Sequence, residues 1–196
     1  MTSIRPIRYL ILAALVAASA LAGAADVGNA VVLVAKPELK DALYGSSVLV
    51  VRPLGGDQHL GFIVNRPTRT TLGELFPEDG PSQKVLDPVY LGGPFNTQLI
   101  FALVQRADSP GGEAFELMPG LYAAFDAKTV DSVIRADPAR ARFVAGFVAW
   151  RAGELRREIE QGAWYVLEAD GSLALRSPDG LWEELVRRSK GLERSI

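Results

Sequence analysis

The sequence predicts an α+β fold: a single compact domain built on a mixed, largely antiparallel sheet flanked by helices. Three observations lead there. Short runs rich in β-branched residues dominate the first half of the chain. The string "PLGGDQH" joins two of those runs with the Gly-Gly-Asp chemistry of a hairpin, which requires antiparallel neighbours. In the second half, helical periodicity alternates with strands, which places helices on the faces of the sheet.

The elements follow in order. Val31 to Ala35 reads as a first strand, and Ser46 to Val51 and Leu60 to Val64 as the hairpin pair. "TTLGELF" starts a short helix, with Thr71 as N-cap and Glu74 completing a capping box. Pro77 to Pro88 is a Pro-, Gly-, Asp- and Ser-rich loop. Val89 to Leu91 and Leu99 to Val104 are strands separated by the turn "GGPFN", and "FELMPGLYAAF" forms two short strands around Pro119-Gly120. Asp126 to Ala136 is a helix with Val130, Val133 and Ile134 on one face. Phe143 to Ala149 reads as a central strand, Glu154 to Gln161 as a helix, Trp164 to Leu167 as a strand, and "GLWEELVRRS" as a last amphipathic helix.

The first residues read as a processing signal. Arg5 and Arg8 precede an apolar or small run from Tyr9 to Ala22, about 14 residues, and Ala22-Gly23-Ala24 fits a cleavage site. The run is too short to serve comfortably as a permanent span. Residues 1–24 are therefore expected to be a Sec-type signal peptide, 25–196 the domain, and the periplasm its destination. Loss of Arg5 and Arg8 takes the formal charge from −2 to −4, which offers no general attraction for nucleic acid or anionic lipid. The absence of cysteine excludes disulfides and thiol chemistry.

"GFIVNRP" carries the first candidate site. A strand ending at Asn65-Arg66 is forced out of its sheet at Pro67. Arg66 then precedes the helix start at Leu72, where a guanidinium beside free N–H groups would receive an anion. Alternatively, Asn65 caps a turn and Arg66 pairs with a carboxylate. In "YLGGPF" the spacing fits no phosphate loop, so Gly92 and Gly93 are expected to allow a tight turn or a close backbone approach. His59, the one histidine, reads as a solvent-exposed turn residue, and neither a catalytic triad nor a metal motif forms around it. Glu154 and Glu158, like Glu183 and Glu184, read as solvated helix faces, and Trp150, Trp164 and Trp182 as core.

The ordered strings "VVLVAKPELKDALYGSSVLVV", "GFIVNRP", "PVYLGGPF", "PGLYAAF", "RFVAGFVAW", "GELRREIEQGAWYV" and "LWEELVRR" resemble the AlgH/YqgE family from about Gly28 to Arg188. The resemblance implies a compact α+β fold and a regulatory association without a biochemical mechanism. Asn65, Arg66, Gly92, Gly93 and Trp150 are its matched positions and the tentative ligand-binding set; no catalytic role, cofactor or metal comes with them. The chain departs from the family pattern at Val104, where a histidine is usual, at Ala149, where a glycine is usual, and along Glu154-Leu155-Arg156. The signal is a further departure.

From sequence, the chain is expected to be an exported, non-enzymatic protein that binds a small anionic ligand or a protein partner. Two other functions are weighed: an envelope hydrolase using carboxylates and Arg66, and a transcriptional regulator, for which only the family's name argues.

Overall fold

The computed structural model describes residues 27–136 and 138–193; the expected signal lies outside them. The described residues form ten strands and four α-helices, in the order β1 (Val31–Ala35), β2 (Val48–Gly55), β3 (Gln58–Ile63), β4 (Pro67–Thr71), α1 (Leu72–Leu75), β5 (Pro88–Leu91), β6 (Phe95–Gln105), β7 (Phe115–Met118), β8 (Leu121–Ala124), α2 (Ala127–Ala136), β9 (Ala141–Trp150), α3 (Glu154–Glu160), β10 (Trp164–Glu168) and α4 (Leu181–Glu193). The main path of the sheet runs β10-β1-β2-β3-β9-β6-β8-β7, with β4 on β5 and β5 on β9 as a branch. Every pairing is antiparallel except β5 with β9.

The sheet curls until β7 returns to β2. Arg52 Nη1 donates to the Glu116 carbonyl at 2.6 Å, and its guanidinium lies 5.4 Å from the Phe115 ring centre. Residues of alternate parity therefore face different cores. Val32, Val34, Val50 and Phe62 point into the curl with Leu103, Leu121 and the α4 residues Leu181 and Leu185. Their neighbours Leu33, Leu49, Val51 and Ile63 pack outward with Leu155 of α3 and with Trp150 and Trp164. A third cluster lies under α2, where Val133 and Ile134 meet Leu72, Val89, Ala102 and Phe143. Burial on both faces explains why β1 reads "VVLVA", with no polar alternation.

Two expectations change. β4 is an additional strand: after Pro67 the chain resumes as an extended segment, opposite β5, in the other half of the sheet. His59 is 2% exposed rather than a surface turn residue. It sits in β3 opposite Trp150, and its Nε2 donates to the Val27 carbonyl at 2.9 Å. The ring thereby fastens the segment that enters β1, and Nδ1 is left buried without a partner.

Candidate functional site

β9 shares one edge between two strands. Gly61 of β3 stands opposite Val148, whereas Tyr90 and Leu91 of β5 stand opposite Val144 and Ala145. Gly92 is at this fork, donating its N–H to the Ala145 carbonyl and accepting from Ile63 N–H, each at 2.8 Å. A Cβ on Gly92 would fall 2.4 Å from the Gly146 carbonyl oxygen, and one on Gly93 would fall 2.2 Å from the Phe147 carbonyl. The close-approach reading of "GGP" therefore holds, with a strand rather than a loop as the neighbour.

"NRP" forms the corner beside this fork. The β2–β3 ladder continues to Val64, whose N–H donates to the Val48 carbonyl. The Asn65 carboxamide then replaces main chain, accepting from Val48 N–H at 2.8 Å and donating to the Ser46 carbonyl at 2.9 Å. Arg66 donates to the carbonyls of Ala42 and Gly45 at 3.1 and 2.7 Å, rather than reaching α1 or a carboxylate. Its own carbonyl accepts from Leu91 N–H. Thus Asn65, Arg66, Gly92 and Gly93 gather around one backbone junction.

Trp150 belongs to a different neighbourhood. Its indole N–H and that of Trp164 both donate to Glu158 Oε2, at 3.0 and 2.8 Å. Glu158 is therefore an internal clamp and not a solvated face residue. Trp182 is half-buried and donates to the Ala35 carbonyl. Glu184, exposed as expected, forms a two-bond fork with Arg176 that holds its carboxyl below the usual range. At the three departures expected from the resemblance, Val104 is buried under α2, Ala149 lies opposite Leu60, and Arg156 pairs with Asp57 at 3.1 Å. Sequence reasoning also missed Arg142, which donates to the Val64 and Arg176 carbonyls and lies 4.1 Å from the Tyr90 ring centre. Burial lowers its pKa. A charge inside the apolar string "ARFVAGFVAW" was its available signal.

An apolar concavity lies elsewhere, between α1, α2 and β6. The capping box holds α1: Glu74 N–H donates to Thr71 Oγ1 at 3.3 Å and Thr71 N–H to Glu74 Oε2 at 2.8 Å. Asp126 positions α2, accepting from Thr129 and Glu113 N–H; these contacts, with the Thr129 hydroxyl foremost, lower its carboxyl pKa. The resulting groove, about 510 Å3, is walled mainly by Leu72, Phe76, Leu99, Ile100, Val130 and Ile134. A hollow of about 340 Å3 shares Phe76, Gln98 and Ile100 with it and extends it toward Thr68 and Thr70. The floor is irregular: β6 is in register with β9 at Phe95 and again at Ile100, a residue step of five against Phe147 and Ala145. Among the described residues, the registers of β6 with β8 and β9 skip Asn96–Leu99, and Asn96 takes φ +50°. Phe76 and Phe95 remain 45% and 49% exposed.

Ser82 donates to Asp79 at the edge of this groove, in a local cap that has no histidine beside it. Among the described residues, no group of three or more His, Asp or Glu side chains is placed to hold a metal. No described helix is long and apolar enough to cross a membrane.

The comparisons agree with the architecture. An AlgH-like family model matches residues 32–193. A UPF0301 protein of Thermobifida fusca is 33% identical over 169 residues, spanning 81% of this chain and 85% of its own. A UPF0301 protein of Chlorobium phaeobacteroides is 30% identical over 168 residues, spanning 84% and 87%. The solution structure of the AlgH protein from Pseudomonas aeruginosa superposes with a TM-score of 0.69 at 22% identity, covering 83% of this chain and 88% of that one. A crystal structure of a Corynebacterium diphtheriae protein gives 0.68 at 23%, covering 82% and 86%. With its strand fork, its Asn-Arg-Pro corner and a family match across nearly all the described residues, the chain belongs to the AlgH-like family.

Proposed function

We propose that this protein is exported and acts by binding, without turning over a substrate, and that its occupant is an extended apolar segment of a partner protein. The observation that carries the reading is the groove between α1, α2 and β6. It pairs an apolar wall with the stretch Asn96–Leu99, which the sheet registers skip, so a visiting strand would find both side-chain pockets and main-chain partners. The hydrolase reading has less support. Asp41 is the one carboxylate lining the hollow beside Arg66, and its Oδ1 already accepts from Leu43 and Tyr44 N–H. DNA binding is opposed by the formal charge of −4 after removal of Arg5 and Arg8. Arg5, Arg8, the apolar run to Ala22 and the Ala22-Gly23-Ala24 string support export.

Both parts have direct tests. Fractionation with intact mass is expected to find a periplasmic protein beginning near Ala25; a cytoplasmic, full-length protein contradicts export. The neutral apolar dye Nile red is expected to bind saturably and to lose about tenfold or more in affinity on Val130→Asp, which puts a charge in the apolar wall. No saturable binding, or binding indifferent to Val130→Asp, contradicts the groove reading.

A further inference from the structure

A second concavity stands apart from the apolar groove and has the opposite chemistry. The loop joining β1 to β2 folds over itself: Asp41 Oδ1 accepts from Leu43 and Tyr44 N–H at 2.8 and 2.7 Å, and Gly45 N–H donates to the Asp41 carbonyl. Arg66 fastens the loop from below through Ala42 and Gly45. The hollow left between this loop and α4, about 310 Å3, is lined by Lys36, Lys40, Arg66, Ser46, Asp41 and Trp182 among others. Its lining carries three cationic residues and one carboxylate, on a protein whose overall formal charge is negative. Lys36 Nζ is held 4.6 Å from the Tyr165 ring centre, and the Trp182 indole is fixed by its bond to the Ala35 carbonyl. Ser46 is kept at φ +61°, a left-handed conformation uncommon for serine, with its carbonyl gripped by Asn65.

We infer that this hollow is a binding site for a small organic phosphomonoester, whose dianion matches the local excess of positive charge and whose planar body lies against Trp182. Cations gathered around a concave site attract a dianion more strongly than the same charges scattered on a surface. The "NRP" corner then has a second consequence: Asn65 and Arg66 hold the loop that shapes the site. This inference does not rest on the apolar groove.

Phenyl phosphate, inorganic phosphate and neutral benzyl alcohol, titrated calorimetrically at low salt, test it. Phenyl phosphate is expected to bind saturably and more tightly than inorganic phosphate, with benzyl alcohol giving no signal. Lys40→Glu changes an exposed side chain that makes no hydrogen bond among the described residues. It is expected to weaken phenyl phosphate at least about tenfold and to leave Nile red binding unchanged. Absence of saturable phenyl phosphate binding at millimolar concentration overturns the site, as does affinity unaltered by Lys40→Glu. Inorganic phosphate binding as tightly as phenyl phosphate overturns the role of Trp182.

Discussion

At the residue scale, one oxygen of Glu158 serves two indoles, Trp150 and Trp164, which also line the outer core under α3. Removing it leaves two largely buried N–H donors without an acceptor, and each such loss is worth about 1–3 kcal/mol. Glu158→Ala is therefore expected to cost about 2–4 kcal/mol in urea unfolding and to shift tryptophan fluorescence. Glu158→Gln, which keeps an acceptor oxygen, recovers part of the loss. Equal stability of Glu158→Ala and the parent chain contradicts the clamp. This role was invisible in sequence because the partners are six and eight residues away across a strand and a turn; only the i,i+4 pattern with Glu154 could be read. His59 was misread for a related reason: its hairpin turn is exposed, but a strand alternates faces, and position 59 turns inward beneath Val27.

At the element scale, the Gly-Gly-Pro string works as a junction between strands. Gly93→Ala would place a methyl within 2.2 Å of the Phe147 main chain, which belongs to the central strand and has no room to yield. It is expected to lower stability by at least about 3 kcal/mol or to prevent folding, read by circular dichroism and urea titration. Near-native stability contradicts the junction. The strands and helices with strong local signals were legible: Val31–Ala35, the hairpin, the Thr71–Glu74 capping box and the Pro119-Gly120 turn all have self-contained chemistry. β4 was not, because "PTRTT" begins with a proline and lacks an apolar face of its own; pairing with β5 decides its conformation. The exit of the chain from its strand at "NRP" was legible, but what each side chain grips depends on a loop about twenty residues earlier.

At the scale of the whole molecule, the curled sheet separates the backbone fork from the groove proposed to bind a partner. Asn65, Arg66, Gly92 and Gly93 assemble the backbone fork, while the open groove is walled by residues from α1, α2 and β6 that no short motif unites. No local period connects Phe76, Ile100 and Val130, so the groove could not be read before the fold brought them together. Binding through that groove is the central claim, and site-specific photo-crosslinking in living cells tests it most directly. A benzoyl-phenylalanine replacing Leu99 in the groove is to be compared with one replacing Leu86, which is 85% exposed on the loop after α1. The account predicts a discrete protein adduct from position 99 that disappears with Val130→Asp and is absent from position 86. No adduct from position 99, or the same adducts from both positions, would contradict it.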